Sequence, residues 1–193
     1  IRVVTRNVYE NEPFISSIES CSLISLRRRH GLLKHILTLD WNVSDMHTLL
    51  FLCTGNYYRS RLAEEIFNFY ITRDNIAARA VSRGLGNQWP NPNNPGPISE
   101  NAKQFLLALG IKTSSPDRMP LPCLAEDLSQ AAQIICLSKR EHKAMFEAKF
   151  PHFPIENVVF WEIGDVGVQD VQEAMTQIYE QTLGIVTKYD VPE

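Results

Sequence analysis

From about residue 47 onward, short apolar runs rich in β-branched residues alternate with stretches whose apolar positions recur at helical spacing. Runs this short and this continuously apolar are strands buried on both faces, and their alternation with helices predicts a parallel sheet covered on both sides. Four strands are predicted: Thr48-Leu49-Leu50-Phe51-Leu52, Ala80-Val81, Gln133-Ile134-Ile135-Cys136-Leu137 and Val158-Val159-Phe160-Trp161. Between them, Leu62, Ile66, Phe69 and Tyr70 mark one helix. Ile98, Ala102, Phe105, Leu106 and Leu109 mark a second, with Pro97 at its start and Gly110 at its stop. Ser138-Lys139-Arg140-Glu141 opens a third with a capping-box pattern. The last runs through Val171, Ala174, Met175, Ile178, Ile185 and Val186. The expected architecture is α/β in three layers, a four-stranded parallel sheet with helices on both faces. Gly84 to Pro97, rich in Pro, Asn and Gly, reads as a long surface loop, and loops of that length are often functional.

Residues 1 to 45 lack this alternation, and their basic patch Arg27-Arg28-Arg29-His30 lies between Leu/Ile clusters. They are read as an extension of unclear role, with a membrane-surface or partner-binding helix around Leu23 to Leu39 as the alternative. Met46 stands two residues before the first strand, where a natural start would be expected, so the extension need not be native. Met46 to Glu193 is then the compact domain. At 193 residues the chain holds one core and not two.

Composition narrows the function classes. A formal net charge of −3 argues against broad nucleic-acid binding, which needs a basic surface. No run reaches the ~18 apolar residues of a membrane span, and the N-terminus lacks the layout of a secretory signal, so cytoplasmic residence is expected. The four cysteines, Cys21, Cys53, Cys123 and Cys136, form no C-x-x-C pair, which points away from a zinc ribbon or a dithiol redox motif.

The chemistry is concentrated in Leu49-Leu50-Phe51-Leu52-Cys53-Thr54-Gly55-Asn56-Tyr57-Tyr58-Arg59-Ser60: a buried strand, a tight loop and a helix start. Ligands bind at the carboxyl ends of strands in open α/β sheets, where the next helix offers unpaired N–H groups to an anion. Gly55 lets the backbone approach an oxyanion, and Asn56 tolerates the left-handed conformation that curls N–H groups into a nest. Arg59 can grip two phosphate oxygens with its planar fork. Together with the helix end it favours the anionic form of the Cys53 sulfur, to which Ser60 is placed to donate a hydrogen bond. A cysteine and an arginine at this spacing arise readily by chance; Gly55, Asn56 and Ser60 in register with them do not.

This loop resembles that of the low-molecular-weight protein tyrosine phosphatases, C-x-G-N-x-C-R-S between the first strand and first helix. Weaker matches extend it from Met46 to about Tyr189: Ala63-Glu64, Val81-Ser82-Arg83-Gly84, Gly96-Pro97-Ile98-Ser99, Leu109-Gly110-Ile111 and Trp161-Glu162-Ile163-Gly164-Asp165. The resemblance implies a phosphate-monoester hydrolase acting through a cysteinyl phosphate, with Cys53 as nucleophile, Arg59 as clamp, and a phosphorylated protein or small aryl phosphate as substrate. No metal or cofactor is expected. Residues 46–193 then form a phosphatase-like domain.

There are departures. Tyr58 stands where the family commonly has a second cysteine able to form a protective disulfide, and Arg61 replaces a common proline. The family's acid lies in an Asp-Pro pair; here the chain reads Asp165-Val166-Gly167. Asp170, followed three residues later by Glu173 and then by an apolar stripe, looks like a helix N-cap, which leaves Asp165 as the expected general acid. Thr54, Gly55, Asn56, Tyr57, Tyr58 and Ser60 are the expected substrate-binding loop, with Tyr57 and Trp89 as candidate aromatic walls. Two alternatives are an arsenate reductase of the same fold and a non-catalytic phosphate-binding module. The first would need a relay of further cysteines, and none follows Cys136.

Overall fold

The computed structural model describes residues 47–189, so the segment 1–45, including Leu23 to Leu39 and Cys21, lies outside the described residues. Four strands form one sheet in the order β2-β1-β3-β4, with every pair parallel. They are β1 (His47–Cys53), β2 (Ala78–Gly84), β3 (Gln133–Cys136) and β4 (Val158–Phe160). The helices are α1 (Arg59–Arg73), α2 (Glu100–Ala108), α3 (Ala125–Gln130), α4 (Lys139–Lys149) and α5 (Val171–Tyr189).

Side chains alternate across a strand, so β1 feeds two cores. Leu49, Phe51 and Cys53 join Leu62, Ile66, Phe105, Ile178 and Ile185 of α1, α2 and α5 on one face. Leu50 and Leu52 join Leu128 of α3, Phe146 of α4 and both Cys123 and Cys136 on the other. This is the expected three-layer arrangement. Among the described residues, no helix is long and apolar enough to cross a membrane.

α2 opens at Glu100 behind the Ser99 cap and not at Pro97, because the Ser99 hydroxyl accepts from Ala102 N, and two further elements differ from the sequence reading. β2 is seven residues long, not the Ala80-Val81 core alone. It lies at the sheet edge, so Arg79 is left exposed and Arg83 half-buried between buried neighbours, and the strand never shows a continuous apolar run. The six-residue α3 was not anticipated, because Leu128 is its only buried side chain and so short a helix has no visible period. By contrast, α2 stops as expected: Gly110 takes φ 70°, Ile111 N donates to Leu106 O and Gly110 N to Leu107 O, a Schellman closure.

Asp170 Oδ1 accepts hydrogen bonds from Gln172 N and Glu173 N, each at 3.0 Å, and so caps α5. Asp170→Ala should lower stability by about 1 kcal/mol, read as a shift of the urea midpoint at unchanged slope. An unmoved midpoint would remove the cap from the account.

Candidate active site

β1 ends at Cys53 and α1 starts at Arg59, so residues 54–58 make the whole turn. The turn depends on Asn56, a non-glycine residue at φ 47°. The carbonyls of Cys53, Thr54, Gly55 and Tyr57 are taken by Leu85 N (2.8 Å), Gly86 N (2.9 Å), Asn94 Nδ2 (3.1 Å) and Ser99 N (2.9 Å). With these oxygens turned to the 85–99 segment, an anion seated on the loop meets N–H groups instead. The N-cap position of α1, Tyr58, makes no side-chain cap, and the first turn holds no acidic residue, so the positive end of the helix stays open to a ligand. A Cβ at Gly55 would collide with the Asn94 amide, which explains the glycine.

Cys53 is buried at the carboxyl end of β1, with Sγ 3.0 Å from Ser60 Oγ. Asn56 Nδ2 donates to Ser60 Oγ (3.1 Å), which frees the Ser60 hydroxyl proton to point at the sulfur. Arg59 is 1% exposed. Its Nη1 and Nη2 donate to the two Glu141 carboxylate oxygens (3.1 and 2.8 Å), Nη1 also to Ile163 O (3.0 Å), and Nη2 to Asp165 Oδ2 (2.7 Å). Burial disfavours the cation, but Glu141, Cys53 and Asp165 outweigh it and hold the guanidinium charged. Asp165 is 43% exposed at the mouth of the cavity, and its Oδ1 accepts from Val166 N (2.8 Å).

A second layer fixes the first. Asn56 Nδ2 donates to Ser82 Oγ (2.7 Å), while Asn56 Oδ1 accepts from Leu121 N (2.9 Å) and Arg118 Nη1 (3.3 Å). Glu64 Oε2 collects Ser82 Oγ, Arg118 Nη2 and Arg61 Nη1. Burial raises the Glu64 carboxyl above its ordinary range, and Arg118, Ser82 and Arg61 offset this only in part. Arg61, fully buried, also pairs with Glu65 (3.1 Å) and donates to Ser115 O (3.1 Å). The arginine that stands in for a proline is therefore a buried tie between α1 and the 111–118 segment.

Behind Thr54 lies His142, fully buried. Ser138 N donates to its Nδ1 (3.0 Å), so the ring proton sits on Nε2, 3.4 Å from Thr54 Oγ1. The capping box expected at Ser138 is half-formed: Ser138 Oγ accepts from Glu141 N, but the Glu141 carboxylate goes to Arg59 and not back to Ser138 N. Sequence reasoning saw Glu141 only as a cap and missed Arg118 and His142 altogether. Neither lies in the loop motif; His142 shares the buried face of α4 with Phe146, one turn on, which is a signal that could have found it, whereas Arg118 lies outside any helix or strand.

Cys53, Thr54, Gly55, Tyr57, Tyr58, Arg59 and Asp165 converge on a cavity of about 460 Å³. Asn56 and Ser60, fully buried, lie beneath it. Tyr58 donates to Val171 O (3.2 Å), and burial pushes its phenol up to about 12. Trp89 corrects the sequence reading. Its Nε1 donates to Gly86 O (2.6 Å) in its own loop and its ring fills the space above Gly84, so it does not line the cavity. The rim there carries Asn91, Asn93, Asn94 and Asn101 instead. The two other described cysteines lie in the core on the opposite face of the sheet from Cys53. Burial pushes Cys123 up to about 12 and raises Cys136 as well.

The family model described as low molecular weight phosphotyrosine protein phosphatase matches residues 48–156, more than half of the chain. The chain belongs to this family. As a low molecular weight phosphatase it is a cysteine-dependent protein phosphatase. A protein-arginine-phosphatase of Bacillus subtilis (strain 168) is 28% identical over 142 residues, covering 69% of this chain and 85% of the relative. Among solved structures, YfkJ from Bacillus subtilis superposes with a TM-score of 0.63 at 21% identity, covering 76% of this chain and 98% of that one. The low molecular weight protein tyrosine phosphatase SP-PTP from Streptococcus pyogenes has the same TM-score at 17% identity, covering 74% and 93%. At these identities the structural likeness shows the fold of this phosphatase.

His142 supplies a pH test. Its pKa falls from 6.5 to about 3, first through burial and then through Arg59. Between these values the unfolded chain binds a proton that the native chain does not, so stability is lost as pH falls, by about 1.4 kcal/mol per pH unit. Above pH 6.5 this loss is absent. His142→Gln, which keeps an acceptor and a donor, should flatten the pH dependence of the denaturation midpoint over that window. Parallel profiles for the two proteins would refute the buried neutral imidazole.

Proposed function

We propose that this phosphatase hydrolyses phosphotyrosine in proteins, and small aryl phosphates, with Cys53 as nucleophile, Arg59 as phosphate clamp and Asp165 as proton donor and acceptor. The observation that carries the reading is the bridge at the cavity mouth: Arg59 Nη2 contacts Asp165 Oδ2 at 2.7 Å in the same cavity that Cys53 lines. A phosphate dianion entering the loop competes for that guanidinium and releases the Asp165 carboxyl toward the ester oxygen. Freed from Arg59 and open to water, the Asp165 carboxylate takes up a proton from solvent; the Cys53 thiolate attacks phosphorus, the P–O bond to the leaving group breaks, and Asp165 passes that proton to the leaving oxygen. In the second half, water attacks the phosphocysteine, Asp165 takes the water proton, the S–P bond breaks and inorganic phosphate leaves. The loop N–H groups and Arg59 stabilise the charge that grows on phosphorus-bound oxygens.

Glu141, half-buried and paired with both Arg59 nitrogens, serves as the positioning residue that keeps the fork oriented when Asp165 lets go. Arsenate reduction through a thiol relay is disfavoured by Cys123 and Cys136, which are buried across the sheet from Cys53. A second reading, phosphoarginine as the substrate side chain, is favoured by the asparagine rim. Amide carbonyls there would accept from the N–H-rich phosphoguanidine, and the 28% identical relative acts on protein arginine phosphate by name.

Cys53→Ser should abolish turnover of nitrophenyl phosphate while vanadate still binds, as followed by calorimetry. Wild-type rates in that variant would sink the mechanism. Asp165→Asn should lower turnover about 10²–10⁴-fold on poor leaving groups and much less on nitrophenyl phosphate. A loss of that form in Asp170→Asn and not in Asp165→Asn would overturn the assignment and transfer the role to Asp170. Comparing kcat/KM on phosphotyrosyl and phosphoarginyl peptides of one sequence decides the substrate side chain.

A further inference from the structure

A second cavity of about 500 Å³ adjoins the catalytic one, and Tyr57 lines both. The wall between them is built: Tyr57 Oη donates to Pro95 O (3.1 Å), and Ser99 N donates to Tyr57 O (2.9 Å). Residues 91–101 form a ridge whose members alternate between the two spaces. Asn94, Ser99 and Asn101 line the catalytic side, and Pro95, Pro97 and Glu100 line the far side. A chain whose phosphorylated side chain enters the first cavity must therefore pass its neighbouring residues over Tyr57 or along the opposite rim.

The far cavity has chemistry of its own. Its apolar lining is Pro95, Pro97, Ile98 and Pro116, and its charges are Glu100, Lys103 and Asp117. Lys103 Nζ lies 3.8 Å from Glu100 Oε2, so that pair neutralises itself. The N-terminus of α2 at Glu100 is capped by Ser99, whose Oγ accepts from Ala102 N (3.2 Å). Asp117 is exposed and has no hydrogen-bond or ion-pair partner among the described residues. Rigid proline faces beside one unpaired carboxylate suit a long aliphatic side chain with a cationic end, whose stem packs on the prolines while its head reaches the acid.

We propose that this cavity is a specificity subsite for a lysine or arginine close to the phosphorylated residue of a protein substrate, with Asp117 as its anion and Tyr57 as the ridge the peptide crosses. The subsite rests on the phosphatase reading of the Cys53 cavity. A small aryl phosphate fills only the catalytic cavity and is blind to it.

The test uses the full chain and phosphopeptides, in phosphotyrosyl and phosphoarginyl series, that carry Lys, Ala or Glu at each of the two positions on either side of the phosphorylated residue. At one of these positions Lys should raise kcat/KM about fivefold over Glu, the size of one partly exposed ion pair. Asp117→Lys should abolish or invert that preference, and Lys103→Ala, which removes the cation beside Glu100 and leaves its Gln104 hydrogen bond, should enlarge it. Neither variant should change turnover of nitrophenyl phosphate. Opposite shifts from two surface substitutions are not produced by general damage. Equal kcat/KM for all flanks, or a preference untouched by both variants, with nitrophenyl phosphate still hydrolysed, overturns the subsite alone. No hydrolysis of nitrophenyl phosphate or of either peptide series by the unaltered protein overturns the phosphatase reading and the subsite with it.

Discussion

Asn56 sits at φ 47°, a conformation that asparagine tolerates better than most residues with a side chain, and its side chain is fixed there by four partners. Its amide nitrogen is spent on Ser60 and Ser82, and its oxygen on Leu121 N and Arg118. The loop's shape is thus set jointly, by Asn56 and Gly55 within it and by the partners beneath it on α1, β2 and the 111–124 segment. Glu64 and Arg61 extend the same network outward, which is why charged residues in the first turns of α1 are buried.

Charge in the site is balanced around one cation. Arg59 faces Glu141 and Asp165, with Cys53 close enough to contribute to its charge state. Glu141 binds it with two parallel bonds and is half-buried, whereas Asp165 makes one bond and is 43% exposed. The two carboxylates are unequal in consequence. A dianion arriving at the loop displaces the singly bonded, solvated one more easily than the doubly bonded one.

The sequence was most readable where burial is continuous. β1 and β3 show as unbroken apolar runs because both faces of a central strand are covered, and α5 shows because a nineteen-residue helix repeats its period. β2 is an edge strand and hides behind its arginines; α3 is too short to repeat anything. The turn between β1 and α1 was legible because a left-handed residue and a close approach restrict what can stand there, Asn56 and Gly55 in this chain. The residues that hold it were not, since Arg118 and His142 act across 62 and 88 residues of chain and local pattern carries no trace of such pairings. Glu141 misled for a physical reason: the same position satisfies a capping rule and an arginine, and the arginine won. Trp89 misled because an aromatic in a long loop near a site looks like a wall, while its indole N–H found a nearer carbonyl.

Tyr58 and Arg59, adjacent in the chain, each reach across to the segment that carries Asp165. Arg59 Nη1 holds Ile163 O on one side of it and Tyr58 Oη holds Val171 O on the other. Residues 164–170 are thus an arch with both feet standing on two consecutive residues, the last of the turn and the first of α1. Asp165 is therefore tied at both ends of its segment to the residues that follow Cys53 in the chain, and the spacing between sulfur and carboxyl is set by contacts local to this end of the sheet.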